Sequence, residues 1–458
     1  MTLAREWIRT LRRLVADGLP EHVARHTRVH VADTLGIALA ARADGPLLAA
    51  LRQSWSGDDM PSGHGGVVLG AAEGLAPPAA AFVNAALAHA LDFDDIHDGA
   101  RLHPTPVTLA AALAVARLPG AARHGSMRLL EAVALGNETM CRLGLACAPD
   151  GSGPASRWFL TQLLGSFGAA VAAGWMLGLD DEALVSALGF ALMQAAGSKE
   201  AAFGTGTNAR AIYPAFAAMG GVVAARLAAS GLVAPDGALD GPAGLFKLYL
   251  GQAPTHAAVQ MLRDGAPWEA LATEVKPWPC CRLSHPYVAA ALDLRKRLGG
   301  QRIQRLQVGV NASAERLCTP LEQRLRPATL ADAKYSVPFV TAATLVHGEP
   351  SLDLMRAALL HDRDVLELAA RIEVRPGLPD HPGHPPARLT AWTSEAGEAL
   401  HSRCDTLPSP SETAIRDKFW RCAAAAKNPA RLWHALVEGE MPDAGLLGLL
   451  AVVDDARP

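Results

Sequence analysis

Trp158-Phe-Leu-Thr-Gln-Leu-Leu-Gly-Ser-Phe-Gly-Ala-Ala-Val-Ala-Ala-Gly-Trp-Met-Leu-Gly-Leu179 runs for 22 residues without a charge. Such a stretch is long enough to cross a bilayer or to form the centre of a helical core. Three features favour the core: Thr161, Gln162 and Ser166 interrupt the apolar surface, four glycines weaken a lone span, and one side lacks a cationic flank. A second apolar helical stretch follows at 184–196, and helices apolar on most sides are interior helices of a bundle. The expectation is therefore a buried helix, with no membrane as partner.

Outward from this stretch the helical spacing continues. Residues 21–41 place Val23, His26, Val29, Val31 and Leu35 on one broad face, and Pro77-Pro78 precede a helix over 79–90. Further helices are expected at 106–117, 125–147, 160–177, 181–196, 214–230 and 256–272. The pattern changes after Trp268. Lys276-Pro-Trp-Pro279 cannot lie inside a helix, because each proline removes a donor and restrains its predecessor. Residues 303–311, 371–375 and 387–393 alternate apolar and polar side chains as half-buried strands do, with a turn at 395–398. Helices at 286–297, 332–346, 351–359 and 363–369 are expected between them. After Pro408 and Pro410 the helical spacing returns, at 411–426, 429–438 and 442–452. The fold class is thus mainly α: a large all-helical domain (1–268 and 408–458) with a smaller α+β domain (269–407) inserted before the C-terminal helices.

Composition narrows the function. The chain has 458 residues, 19% of them charged, and a formal net charge of −3. Charge is sparse against roughly 25% in average soluble domains, which fits a large core extended by oligomer contacts. Lys and Arg form no run, so nucleic acid is not an expected partner. Seven cysteines at 141, 147, 280, 281, 318, 404 and 422 contain no CxxC pair, and the N-terminal MTLAREWIRTLRRL has no apolar leader core. A reducing, cytoplasmic setting is expected.

Three segments carry the chemistry. In 84–104, Asp92, Asp94, Asp95, Asp98, His97, His103 and Arg101 fall within twelve residues between two apolar helices, where charges must be paired, solvated or used. In 276–286, Lys276, Cys280, Cys281, Arg282, Ser284 and His285 share a proline-stiffened stretch; adjacent cysteines chelate a tetrahedral ion poorly, so no metal is expected. In 197–214, a glycine-rich loop without a phosphate-binding pattern feeds Arg210 and Tyr213 toward a cleft, while Lys199-Glu200 reads as a solvated pair. Removing a proton next to a carboxylate needs a base and cationic partners for the developing charge. Asp92 and His103 suit proton transfer, and Arg101, Arg210, Lys276 and Arg282 suit carboxylate binding.

Several motifs together resemble the MmgE/PrpD family. They are Asp33-Thr-Leu-Gly36, Asn84…Ala-His-Ala-Leu-Asp-Phe-Asp-Asp95, His103-Pro104, Leu135-Gly-Asn-Glu138…Arg142, Lys276-Pro-Trp-Pro-Cys-Cys-Arg-Leu-Ser-His285-Pro and Asp332-Ala-Lys-Tyr-Ser336. The resemblance implies a helical main domain, a lid-like α+β domain, a homodimer and metal-independent, cofactor-free chemistry on small di- or tricarboxylates. Asp92, His103, Lys276 and His285 match positions tied to catalysis, and Arg101, Arg210, Tyr213 and Arg282 are the candidate substrate contacts. The chain departs from the pattern at Ile96 (a Thr is usual), Phe159 (His), Arg210 and Tyr213 (Lys and His) and Phe339 (Tyr). The implied activity is a lyase removing water or CO2 from a small hydroxy- or unsaturated polycarboxylate. The alternatives are an epimerase of a small dicarboxylate and a non-catalytic relative.

Overall fold

The computed structural model describes all residues except 62–63, 72–73, 122–125, 148–153, 204–205, 381–383, 394–397, 427 and 440–458. The expected turn at 395–398 falls almost wholly, and the expected helix at 442–452 entirely, outside the described residues. The chain forms two compact units: residues 1–199, 212–275 and 411–458, and residues 200–211 and 276–410. The fold is mainly α, with only small sheets.

At the centre of the first unit lies Leu160–Met176, buried along nearly its whole length. Ser126–Cys147, Thr105–Val115 and Asp181–Gln194 pack around it. Glycine sets the closeness of this packing. A Cβ on Gly168 would sit 2.8 Å from the carbonyl oxygen of Gly136, and one on Gly136 would sit 2.9 Å from that of Gly168. No side chain fits between these backbones, so the glycines that weaken a lone span let two core helices touch. Asp180 begins the next helix by accepting from the Ala183 N–H at 2.9 Å. Ala209–Ala229 is long and apolar enough to cross a membrane by composition, yet Tyr213, Ala217, Gly221 and Ala224 lie buried along it.

Periodicity located most helices and missed their breaks. The expected helix at 214–230 begins earlier, at Ala209, and carries Pro214 inside it. The expected 256–272 stops at Asp264, where Gly265 takes a left-handed backbone (φ +76°), and resumes as a short 3-10 turn, Glu269–Ala272. Thr273–Glu274 then pairs antiparallel with Ile96–His97, so the first unit runs on to residue 275 rather than ending at 268.

In the second unit four strands lie in the order Ile372–Pro376, Ile303–Val310, Ala387–Thr393, Ala399–Cys404. Ile303–Val310 runs parallel to the first (Leu306 opposite Ile372) and antiparallel to the third (Gln307 opposite Thr390). Residues along Ala387–Thr393 alternate strictly between buried and half-buried, as the sequence pattern demanded. Ala399–Cys404 was not foreseen, since Leu-His-Ser-Arg offers little β-branched signal. Two corrections concern helices. Residues 332–346 split into Leu330–Lys334 and Val337–His347, because Ser336 caps the second helix and Pro338 follows. The helix expected at 351–359 is absent, replaced by turns and a 3-10 segment, Ala357–His361.

One buried ion pair ties a late helix, Glu412–Cys422, to the rest of the first unit. Lys418, on Glu412–Cys422, places Nζ 2.8 and 2.9 Å from the carboxylate oxygens of Asp33 and 2.8 Å from the Phe93 carbonyl. Burial pushes the Asp33 carboxyl above its ordinary range even beside this ammonium. Lys418→Met leaves that carboxyl buried without its counter-charge, and should cost about 3–5 kcal/mol in urea unfolding. Adding Asp33→Leu should recover much of the loss.

Candidate active site

Helix Pro77–His89 ends at His89, and helix Thr105–Val115 begins past His103, so the motif segment is the loop between them. Two non-glycine residues in it take left-handed backbone, Asp92 (φ +54°) and Arg101 (φ +56°). Such conformations cost of order 1–3 kcal/mol each and persist where surroundings over-determine them. Here the determinants are visible. Ile96–His97 is pinned as a strand, the His97 N–H donates to Leu102 O (2.9 Å), and the Arg101 N–H donates to His97 O (2.7 Å).

The carboxylates that join the imidazoles are Asp94 and Asp95. His89 Nδ1 lies 2.7 Å from Asp94 Oδ2, and His103 Nδ1 lies 3.3 Å from the same oxygen. His30 Nδ1 lies 2.9 Å from Asp95 Oδ2. His103 Nδ1 is also 2.6 Å from the Asp95 carbonyl oxygen, which can only accept. Nδ1 therefore carries a proton. The His89, Asp94 and His103 donor atoms lie within 4.8 Å of one another, close enough to surround an ion. At 2.7 and 2.6 Å, however, the Nδ1 contacts are hydrogen bonds, and a cation at zinc–nitrogen distances of about 2.0–2.1 Å would displace both protons.

Tyr213 closes one side of the cluster. Its ring stacks on Phe159 (4.3 Å between centroids) and meets His89 edge-on (4.9 Å), and its hydroxyl is 3.4 Å from Thr161 Oγ1. Thr161 also accepts the backbone N–H of His103 at 3.0 Å. Arg101, Lys199, Thr161 and Tyr213 line a cavity of about 50 Å³ beside these residues. A larger hollow of about 500 Å³ lies in the second unit and contains none of the motif residues. Asp92, whose backbone strain marks it, is buried next to Phe93.

Lys276, His285, Arg282 and Arg210 belong to the second unit. Lys276 and His285 are fully buried; His285 Nε2 donates to the Cys280 carbonyl at 3.2 Å, and its ring meets Trp278 edge-on at 5.2 Å. Arg282 is half-buried on a 3-10 turn leading into His285–Leu298. Arg210 lies over the Tyr335 ring, 3.3 Å from its centre. Arg210 and Tyr213 thus sit in one helix rather than a loop, and in different units, correcting the expectation that a loop presents both together. Phe339, at the position where the family pattern has Tyr, is buried and receives the Ser336 cap through its N–H.

Sequence reasoning missed His30, His89, Asp94 and Asp95 as working members. For His89 the signal was present, since it is the last residue of its helix, five positions before Asp94; His30 meets Asp95 only through tertiary contact. The other loop imidazole, His97, is structural. Its Nε2 donates to Glu269 O (3.1 Å), its Nδ1 accepts from the Ala100 N–H (2.9 Å), and burial holds its pKa down.

Fold and donor set together define a class of mainly α proteins in which one inter-helix loop carries paired histidines and carboxylates. The chain belongs to the MmgE/PrpD family: the family's N-terminal domain matches residues 6–258 and its C-terminal domain residues 278–427. Cis-aconitate decarboxylase of Aspergillus terreus is 28% identical over 295 residues, 61% of this chain and 59% of that protein, so the chain spans under two thirds of that relative. The cis-aconitate decarboxylase-like protein oryM of Aspergillus oryzae is 27% identical over 392 residues (80% and 79%). Human cis-aconitate decarboxylase is 26% identical over 354 residues (73% and 69%).

His26 stacks on His30 at 4.2 Å between ring centroids. Burial, with His30 beside it, lowers the His26 pKa from about 6.5 to about 3. Between those values the unfolded chain binds a proton that the native one does not, so stability falls as pH drops through this window. The fall in urea midpoint from pH 7 to pH 4.5 should be smaller in His26→Asn than in the parent.

Proposed function

We propose that the chain is a lyase that decarboxylates a small unsaturated di- or tricarboxylate, with His103 as its proton-transfer group. The observation that carries this reading is the placement of His103, whose Nδ1 lies 2.6 Å from the Asp95 carbonyl and 3.3 Å from the Asp94 carboxylate. A proton taken up at Nε2 makes an imidazolium, which the Asp94 carboxylate at 3.3 Å stabilises. His89, bonded to the same oxygen, holds that carboxylate in place.

The reaction balances with one such group. The C–C bond to the departing carboxylate breaks and its electron pair passes through the conjugated alkene into a neighbouring carboxylate. His103, protonated at Nε2 from solvent beforehand, gives that proton to the resulting carbanion-like carbon and returns to the neutral ring, and CO2 leaves. Arg101, in the same unit as His103, is a cationic partner for a remaining carboxylate. Phe159 and Tyr213 stand at two positions where the family pattern has histidine. Dehydration, which must remove one proton and also protonate a leaving hydroxyl, is served less well by this set. The relatives' names point the same way, to cis-aconitate decarboxylation.

The test is NMR in D2O with cis-aconitate, citrate and smaller dicarboxylates. The expected result is CO2 loss with one deuterium incorporated at carbon. Turnover should fall at least about 100-fold in His103→Ala. Exchange without loss of CO2 would make the protein an epimerase, and near-normal turnover in His103→Ala would remove the assignment.

A further inference from the structure

We propose that His30 and His89 are positioning residues for His103: each holds, through Nδ1, one of the two consecutive aspartates whose oxygens lie against His103 Nδ1. The inference rests on the lyase reading and adds to it two imidazoles that act through a third. It starts from a symmetry of contacts within the first unit. His103 Nδ1 lies 3.3 Å from Asp94 Oδ2 and 2.6 Å from the Asp95 carbonyl oxygen. His89 Nδ1 lies 2.7 Å from that same Asp94 oxygen, and His30 Nδ1 lies 2.9 Å from Asp95 Oδ2. One peptide bond separates the two aspartates, so neither moves without carrying the other.

Burial makes these bonds strong determinants of geometry. Both aspartate side chains are fully buried, and a carboxylate out of water turns toward the donor it is given. Asp95 Oδ1 has no hydrogen-bond partner among the described residues, so the bond to His30 is what orients that carboxylate. His89 Nε2 is likewise buried and without a hydrogen-bond partner among the described residues. A proton there would be a buried donor with nothing to bond, so His89 keeps its one proton on Nδ1 and stays neutral. As a neutral donor it fixes the Asp94 oxygen and leaves the negative charge to balance the His103 imidazolium. Both rings stand on helices, His30 within Glu21–Ala41 and His89 at the end of Pro77–His89, and helices hold side chains more precisely than loops do. Packing locks them further: His26 stacks on His30 at 4.2 Å, and Tyr213 and His103 meet His89 edge-on at 4.9 and 5.1 Å between centroids.

The test uses the full chain, with cis-aconitate as the turnover probe and NMR of isotope-labelled histidine nitrogens as a readout independent of turnover. Phenylalanine keeps a ring and removes the donor, whereas asparagine keeps an N–H at the place of Nδ1. In His89→Phe and in His30→Phe, kcat should fall at least about tenfold, the size of one lost hydrogen bond to a charged group, with KM within about threefold of the parent. His89→Asn and His30→Asn should recover most of that loss. In the parent at neutral pH, the His89 signals, identified by their loss in its variants, should show a proton on Nδ1 and none on Nε2. The His103 signals should shift in both phenylalanine variants and return in the asparagine ones. A parent with these spectra that turns over no polycarboxylate would sink the lyase reading and leave the positioning role standing. Turnover by the parent with kcat unchanged in folded phenylalanine variants, or lost equally in the asparagine ones, would do the reverse. Where a phenylalanine variant does not fold, the parent spectrum still decides, since a proton on His89 Nε2 overturns the proposal.

Discussion

The structure of the motif loop depends on one ammonium group. Lys418 reaches from near the C-terminus to Asp33 on an early helix and to the Phe93 carbonyl, joining positions 385 and 325 residues apart in sequence. Its Nζ also lies 3.9 Å from the centre of the Phe93 ring, so charge, hydrogen bond and cation–π contact meet at one atom. Phe93 separates the strained Asp92 from Asp94, the carboxylate shared by two imidazoles. Fixing the backbone there fixes both neighbours. A buried pair of this kind is poor as a source of net stability but strong as a determinant of geometry, since each partner is costly to leave alone.

Around that anchor the first unit buries an unusual amount of polarity. His30, His89, Asp94 and Asp95 are all at most 4% exposed, inside a bundle whose neighbouring helices are largely Ala, Leu and Gly. Desolvation on this scale is tolerated because the groups bond to one another: each imidazole has its carboxylate, and the Asp95 carbonyl fixes His103. The low-dielectric surroundings strengthen those bonds and hold the rings in fixed tautomers.

Much of the fold was legible in the chain because it rests on local rules. The uncharged 158–179 stretch read as a core helix, and its glycines mark the Gly136–Gly168 approach. The alternation in 387–393 predicted a strand with the observed burial. What escaped was non-local or capped by a single residue: the Ser336 break, the Gly265 stop, the fourth strand, and the pairing that keeps Thr273–Glu274 with the first unit. The site divides in the same way. Asp92, Arg101 and His103 stood out by local charge density. His30 and Lys418 could not, because each lies on an amphipathic or apolar helix far from the motif, and only tertiary contact gives it a role. Lys199 read as solvated because its neighbour Glu200 is charged, whereas its partner is a carbonyl 43 positions earlier.

The left-handed backbone at Arg101 has a consequence for anyone engineering this scaffold. Glycine adopts that conformation without penalty, so a search for more heat-resistant variants would be drawn to Arg101→Gly as a relief of strain. The same change removes a guanidinium from the wall of the cavity that Thr161 and Tyr213 also line. Robustness and the make-up of that wall are therefore set against each other at a single codon, and a sequence optimised for the first would drift away from the second.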